Sequence, residues 1–91
     1  MQYNVQNFIS NSGNSVANQF KICTPRAILF QSYNSIIAKI DRRTKKITLD
    51  KYYWDYSRTT GKYRNQFLGE GIAETRAKIK SGEYKLKNLN S

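Results

Sequence analysis

From Ala27 to Leu49 short apolar stretches, alternating with polar residues in the later part and separated by polar turns, suit pleated strands better than a helix. "AILFQSY" (27–33) is rich in residues that fit a half-buried sheet surface. Asn34-Ser35 supplies a turn, and Ile36, Ala38 and Ile40 of "IIAKID" then share one face. "RRTK" makes a polar connection into "KITL", where Ile47 and Leu49 alternate with polar residues. The pattern predicts three consecutive antiparallel strands with turns near 34 and 43. Pro25 precedes the first, where a missing N–H costs little.

After Tyr56 the period changes. Ser57, Thr59 and Thr60 are candidate N-caps, and a helix over about 59–68 places Tyr63 and Phe67 on one face. Gly61 weakens that helix and Gly69 stops it. A second helix over about 71–81 puts Ile72, Ala73 and Ile79 on one side and pairs Glu74 with Lys78, with Gly82 as its C-terminal cap. Arg76 and Lys80 fall in its apolar sector. "EYKLKNL" adds a short strand through Tyr84, Leu86 and Leu89.

Residues 1–19 carry no charged side chain and hold five Asn, three Gln and three Ser around Gly13. They read as an uncharged arm or as a weak hairpin through Tyr3, Val5, Phe8 and Ile9, turning at "SNSGNS". Residues 20–91 form a single domain. The expected fold class is α+β: a small antiparallel meander of three to five strands with two short helices packed on one face.

Composition narrows function. With no histidine and one cysteine, Cys23, the chain lacks the commonest general base and the ligands of a zinc site. Asp41, Asp50 and Asp55 lie close in sequence, as magnesium ligands would, but among so many cations they read as charge-balancing partners. No metal, other cofactor or catalysis is expected. No membrane-spanning run and no signal segment is evident, so a cytoplasmic protein is expected. Sixteen Lys and Arg against six Asp and Glu give a net charge of +10, a field that draws polyanions.

Three groups carry that charge. Arg42, Arg43, Lys45 and Lys46 crowd a hairpin tip suited to phosphates, although charge also keeps such tips solvated. Lys51 leads into "YYWDYS", where strand alternation turns Tyr52 and Trp54 inward and leaves Tyr53 to stack on a base. Arg58, Lys62 and Arg64 flank a hydroxyl-rich helix start able to meet backbone phosphate; the spacing is not that of a nucleotide-binding P-loop.

The stretches "FQSYNSIIAKID", "ITLDKYYWDYSRTTGKYRNQFLG" and "IKSGEYKL" resemble a family of small proteins encoded by phages and prophages of Gram-positive bacteria. In that family a phrase like Ser32-Tyr33 followed by Ile37-Ala38 precedes one like Asp55-Tyr56-Ser57, Thr59-Thr60 and Phe67-Leu68. The likeness covers roughly residues 24–88. Relatives often carry a histidine after the Thr pair, where this chain has Tyr63. The resemblance implies a phage origin. The leading expectation is a non-enzymatic accessory protein that binds DNA or RNA. The alternative is an anti-CRISPR or anti-restriction inhibitor whose partner is a host protein or nucleoprotein complex.

Overall fold

The computed structural model describes residues 4–90. Six strands form one sheet in sequence order: β1 (Asn4–Ile9), β2 (Ser15–Cys23), β3 (Ala27–Ser32), β4 (Ser35–Asp41), β5 (Ile47–Asp50) and β6 (Lys85–Lys87). Helices α1 (Arg58–Leu68) and α2 (Ile72–Ser81) lie between β5 and β6. The architecture is α+β, with one strand more than the upper expectation. The meander of β3, β4 and β5 follows the alternation seen in the sequence. β2 runs across the boundary between the uncharged and charged parts of the chain, and Tyr3 lies outside the described residues.

The last strand differs in direction. β1 to β5 pair antiparallel, but β6 pairs parallel to β5, with Leu86 beside Leu49. A parallel neighbour needs a long crossover, and α1 and α2 supply it. Period-two patterning in "YKL" marks a strand without giving its direction.

Directly paired residues share a face. One row reads Gln6, Lys21, Phe30, Ala38, Leu49 and Leu86 from β1 to β6. On this side Phe8, Phe30, Ile37, Ala38 and Leu49 form the core with Tyr63 of α1 and Tyr84. Phe8 meets Phe30 edge-on at 5.3 Å and Phe67 at 6.5 Å, so the uncharged N-terminal segment supplies a core ring. A bulge between β3 and β4 buries both Ile37 and Ala38.

α1 is capped by Ser57, whose hydroxyl accepts from Thr60 N, and ended by Gly69 in the left-handed region (φ 72°). Its Thr60 hydroxyl lies 2.9 Å from that of buried Ser32, tying the helix to β3. In α2 the buried residue is Thr75, whereas Ala73 is exposed. Glu74 accepts from Gly71 N (3.4 Å) instead of pairing with Lys78. Lys78 donates to Glu70 (2.7 Å), which also accepts from Tyr84 Oη (2.8 Å) and Thr75 Oγ1 (2.6 Å). Thus α2 docks through one buried carboxylate as much as through apolar area. Burial pushes Tyr84 up to about 12, with Glu70 adding to the effect.

Asp50 is the second such carboxylate, fully buried at the end of β5. Its Oδ2 accepts from Tyr52 N (3.0 Å) and Tyr53 N (2.8 Å), and its Oδ1 from Leu89 N (2.8 Å) and Asn90 Nδ2 (3.0 Å). Burial raises the pKa values of Asp50 and Glu70, but the donors around each outweigh it and hold both below the ordinary carboxylate range. A carboxylate with a lowered folded pKa stabilises above its unfolded value and loses that contribution as pH falls through the folded one. The thermal midpoint should therefore be level between about pH 5 and 7 and decline below about pH 4. Asp50→Asn, which turns an NH₂ toward two donors, should cost about 2–3 kcal/mol and make that acid decline shallower in pH-resolved thermal unfolding.

Gln19, opposite Ser32, is fully buried with neither amide atom hydrogen-bonded among the described residues. Replacing an unpaired buried amide by an apolar side chain of similar length removes a desolvation penalty. Gln19→Met should raise unfolding stability by about 1 kcal/mol in denaturant titrations.

Candidate functional site

The face of the sheet away from the helices changes character along one row. Val5, Ile22, Leu29, Lys39, Thr48 and Lys85 follow one another from β1 to β6. The first three are apolar, and the last three open onto a groove of about 740 Å³. Lys39, Lys46, Lys85 and Lys87 line that groove, with Asp41 and Glu83 as its acids. Lys85 and Lys87 share a face because they are two apart on a strand. All four lysines are exposed.

Asp41 is partly occupied elsewhere. Its Oδ1 accepts from Arg43 N (2.8 Å) and Thr44 N (3.0 Å), and these bonds hold its pKa below the ordinary range. Lys45 completes the tight connection at φ 64°. The turn therefore has a fixed shape rather than the loose form its charge suggests.

The residues singled out by sequence divide into separate places. Arg42 and Arg43 join Arg26 and Pro25 around a second hollow of about 520 Å³ at this end of the sheet. Arg42 spends part of its guanidinium on Thr24 O (2.9 Å). Lys46 belongs to the groove. Lys51, Tyr53, Arg58 and Lys62 follow the opposite end of β5, so the cations do not converge on one patch. A link exists along β6: Lys51 N donates to Lys87 O (2.9 Å), which brings Lys51 beside the groove's far end.

Arg64 is not a surface residue. It is 1% exposed and donates to Trp54 O (2.7 Å), Asp55 Oδ1 (3.1 Å) and Asn65 Oδ1 (3.1 Å), with its guanidinium carbon 5.2 Å from the Trp54 ring centre. Asp55 also meets Arg76 at 3.5 Å. Its helical position, one turn after Thr60, turns Arg64 inward under the 51–57 loop.

That loop corrects the aromatic reading as well. Residues 51–55 form turns rather than a strand, so alternation does not apply. Tyr52 and Tyr56 are exposed, whereas Tyr53 and Trp54 are half-buried against the core. Tyr53 faces Tyr56 edge-on at 5.7 Å, and both line a cleft of about 610 Å³ that Tyr33, Ser35, Ser57 and Arg58 also border.

Sequence reasoning missed Lys39, Lys85 and Lys87. The signal for the last two was the spacing in "KLK", but only the parallel docking of β6 carries them to Lys39. Tyr33 was likewise unassigned and sits in a turn; Tyr56, one of the rings of "YYWDYS", sits in the loop that Asp50 and Arg64 shape. Asp41, Asp50 and Asp55 each have their own partners, and among the described residues no three His, Cys, Asp or Glu side chains come together as a metal site. No helix of the described residues is long and apolar enough to cross a membrane.

A family model, that of the family of unknown function DUF8033, matches residues 3–85. No curated protein and no solved structure matches.

Removing Arg64 would leave the Trp54 carbonyl without its donor beneath the loop and the Trp54 ring without its guanidinium neighbour, while Asp55 keeps Arg76. Arg64→Ala should cost about 3 kcal/mol, and Arg64→Lys most of that, because an ammonium does not reproduce the planar fork. Denaturant unfolding followed by Trp54 fluorescence measures both.

Proposed function

The chain belongs to the DUF8033 family, and we propose that it is a small basic, non-enzymatic accessory protein of phage type that binds nucleic acid. The observation that carries this reading is the groove on the outer face of β4, β5 and β6. There Lys39, Lys85 and Lys87 stand exposed on strands and Lys46 on the connection just before β5, and the main chain of Lys51 is hydrogen-bonded to that of Lys87. Lysine ammonium groups on a fixed surface meet phosphate oxygens without ordering a loop first, which lowers the entropic cost of binding. The net charge of +10 adds long-range attraction that speeds encounter. Arg43 and Arg26 at the neighbouring hollow extend the contact to a further phosphate. The resemblance to phage-encoded proteins supports a bacterial host cell as the place of action.

Backbone contact of this kind is driven by counterion release. Fluorescence anisotropy with DNA and RNA oligomers, single- and double-stranded, should show affinity falling linearly on logarithmic axes of salt, with a slope of about −0.7 to −0.9 per phosphate engaged. Charge reversal at Lys39, Lys85 and Lys87 together should reduce affinity at low salt by about a hundred-fold or more and flatten that slope by two to three such units, with the fold unchanged by circular dichroism. Absence of binding by the unaltered protein at low salt would overturn the proposal. A protein partner retained from nuclease-treated lysate under those conditions would instead favour the inhibitor reading.

A further inference from the structure

Beyond the groove, the loop that begins at Lys51 opens onto the tyrosine-bordered cleft, and we infer that this cleft receives one unpaired nucleobase of a bound single strand. The inference rests on the nucleic-acid reading and makes it specific for unpaired rather than duplex substrate.

Two of the rings are largely exposed. Tyr33 is 45% exposed and Tyr56 64% exposed, and neither belongs to the core that holds Tyr63 and Tyr84, Tyr56 touching only the edge of Tyr53. Tyr33 also has φ 55°, a left-handed conformation in which an Asn or Gly would be more at ease. Stability therefore does not account for an aromatic residue at that position. Both rings border a cleft of about 610 Å³ whose wall is mixed in polarity, with Ile37 beside the hydroxyls of Ser35 and Ser57. That volume lies within the range of small-ligand sites, ~300–1,000 Å³. An aromatic face, a nearby cation and hydroxyl groups are what a base and its sugar–phosphate require. Arg58 is the exposed cation at this rim.

The main chain links the groove's last strand to the cleft wall. Lys87 O accepts from Lys51 N, and Tyr53 of the cleft wall follows two residues later. A strand engaged at both places sets its phosphates on Lys85 and Lys87 and turns one base into the cleft. A duplex keeps its bases stacked and gains only the groove.

Anisotropy titrations of a homopyrimidine single strand and of a duplex of equal length test this on the full chain. Tyr33→Asn, which relieves the left-handed backbone, and Tyr56→Ala leave the core untouched. Together they should weaken single-strand binding by about ten-fold to a hundred-fold, with duplex affinity and the salt slope both preserved. A 2-aminopurine placed in the strand should be quenched by the unaltered protein and not by the double variant. Unchanged single-strand binding in the folded double variant, or equal loss for strand and duplex, overturns the cleft assignment while the groove reading stands. Loss of both substrates from the unaltered protein removes the two together.

Discussion

Asp50 is the constraint on which the remainder of the structure depends. It is one carboxylate at the end of β5, yet it accepts from the first two free amides of the 51–57 loop and from two donors of the C-terminal tail. Charge-assisted bonds of this kind are stronger than neutral ones, and four of them offset the cost of burying the charge. The loop's path sets where α1 begins, and α1 presents Tyr63 and Phe67 to the sheet. The tail, in turn, is brought to Ile36, where Asn90 both donates to its carbonyl and accepts from its amide. The chain is thus closed upon itself at one end of the sheet by a single side chain.

A polar interior is a natural outcome for a domain this small. Ninety-one residues bury a limited share of their surface, and only 38% of them are apolar. Arg64 under Trp54, Glu70 among Thr75, Lys78 and Tyr84, and the Ser32–Thr60 pair do work that a larger core assigns to leucine and isoleucine. Each group is directional, so each fixes where one element sits relative to another. α2 shows the consequence most plainly: its one fully buried residue is a threonine, and its position follows from a carboxylate on the connection before it.

Such directional contacts explain which parts of the fold were legible from sequence. β3, β4 and β5 were, because the sheet-favouring residues of 27–33, the alternation of 36–40 and 47–49 and the turn chemistry between them agree. The helices were, because Ser57, Gly69 and Gly82 mark their ends. The role of Arg64 was not: a buried guanidinium looks the same in sequence as a solvated one, and only the loop above it decides. The parallel docking of β6 was equally hidden, since it depends on how far α1 and α2 carry the chain back. That docking is also why the site was only partly legible. Lys46 was in view, but its neighbours Lys39 and Lys85 are brought beside it across β5 by register alone.

The distribution of charge over the sheet follows from two demands made on the same strands. At β1 the edge carries no ionised group, and the row running inward through Ile22 and Leu29 is apolar. At β6 the edge is "KLK", and edge lysines discourage a further strand from pairing there. Protection alone would be met by one lysine anywhere along the edge. Here Lys85 and Lys87 face the same side, Lys39 joins them from β4 through Thr48, and Lys46 closes the end of the groove. Four like charges on one surface repel one another, a cost that a lone protective lysine avoids and that a bound polyanion relieves. The arrangement therefore exceeds what edge protection asks for, and Asp41 and Glu83 in the same groove offset only part of the repulsion.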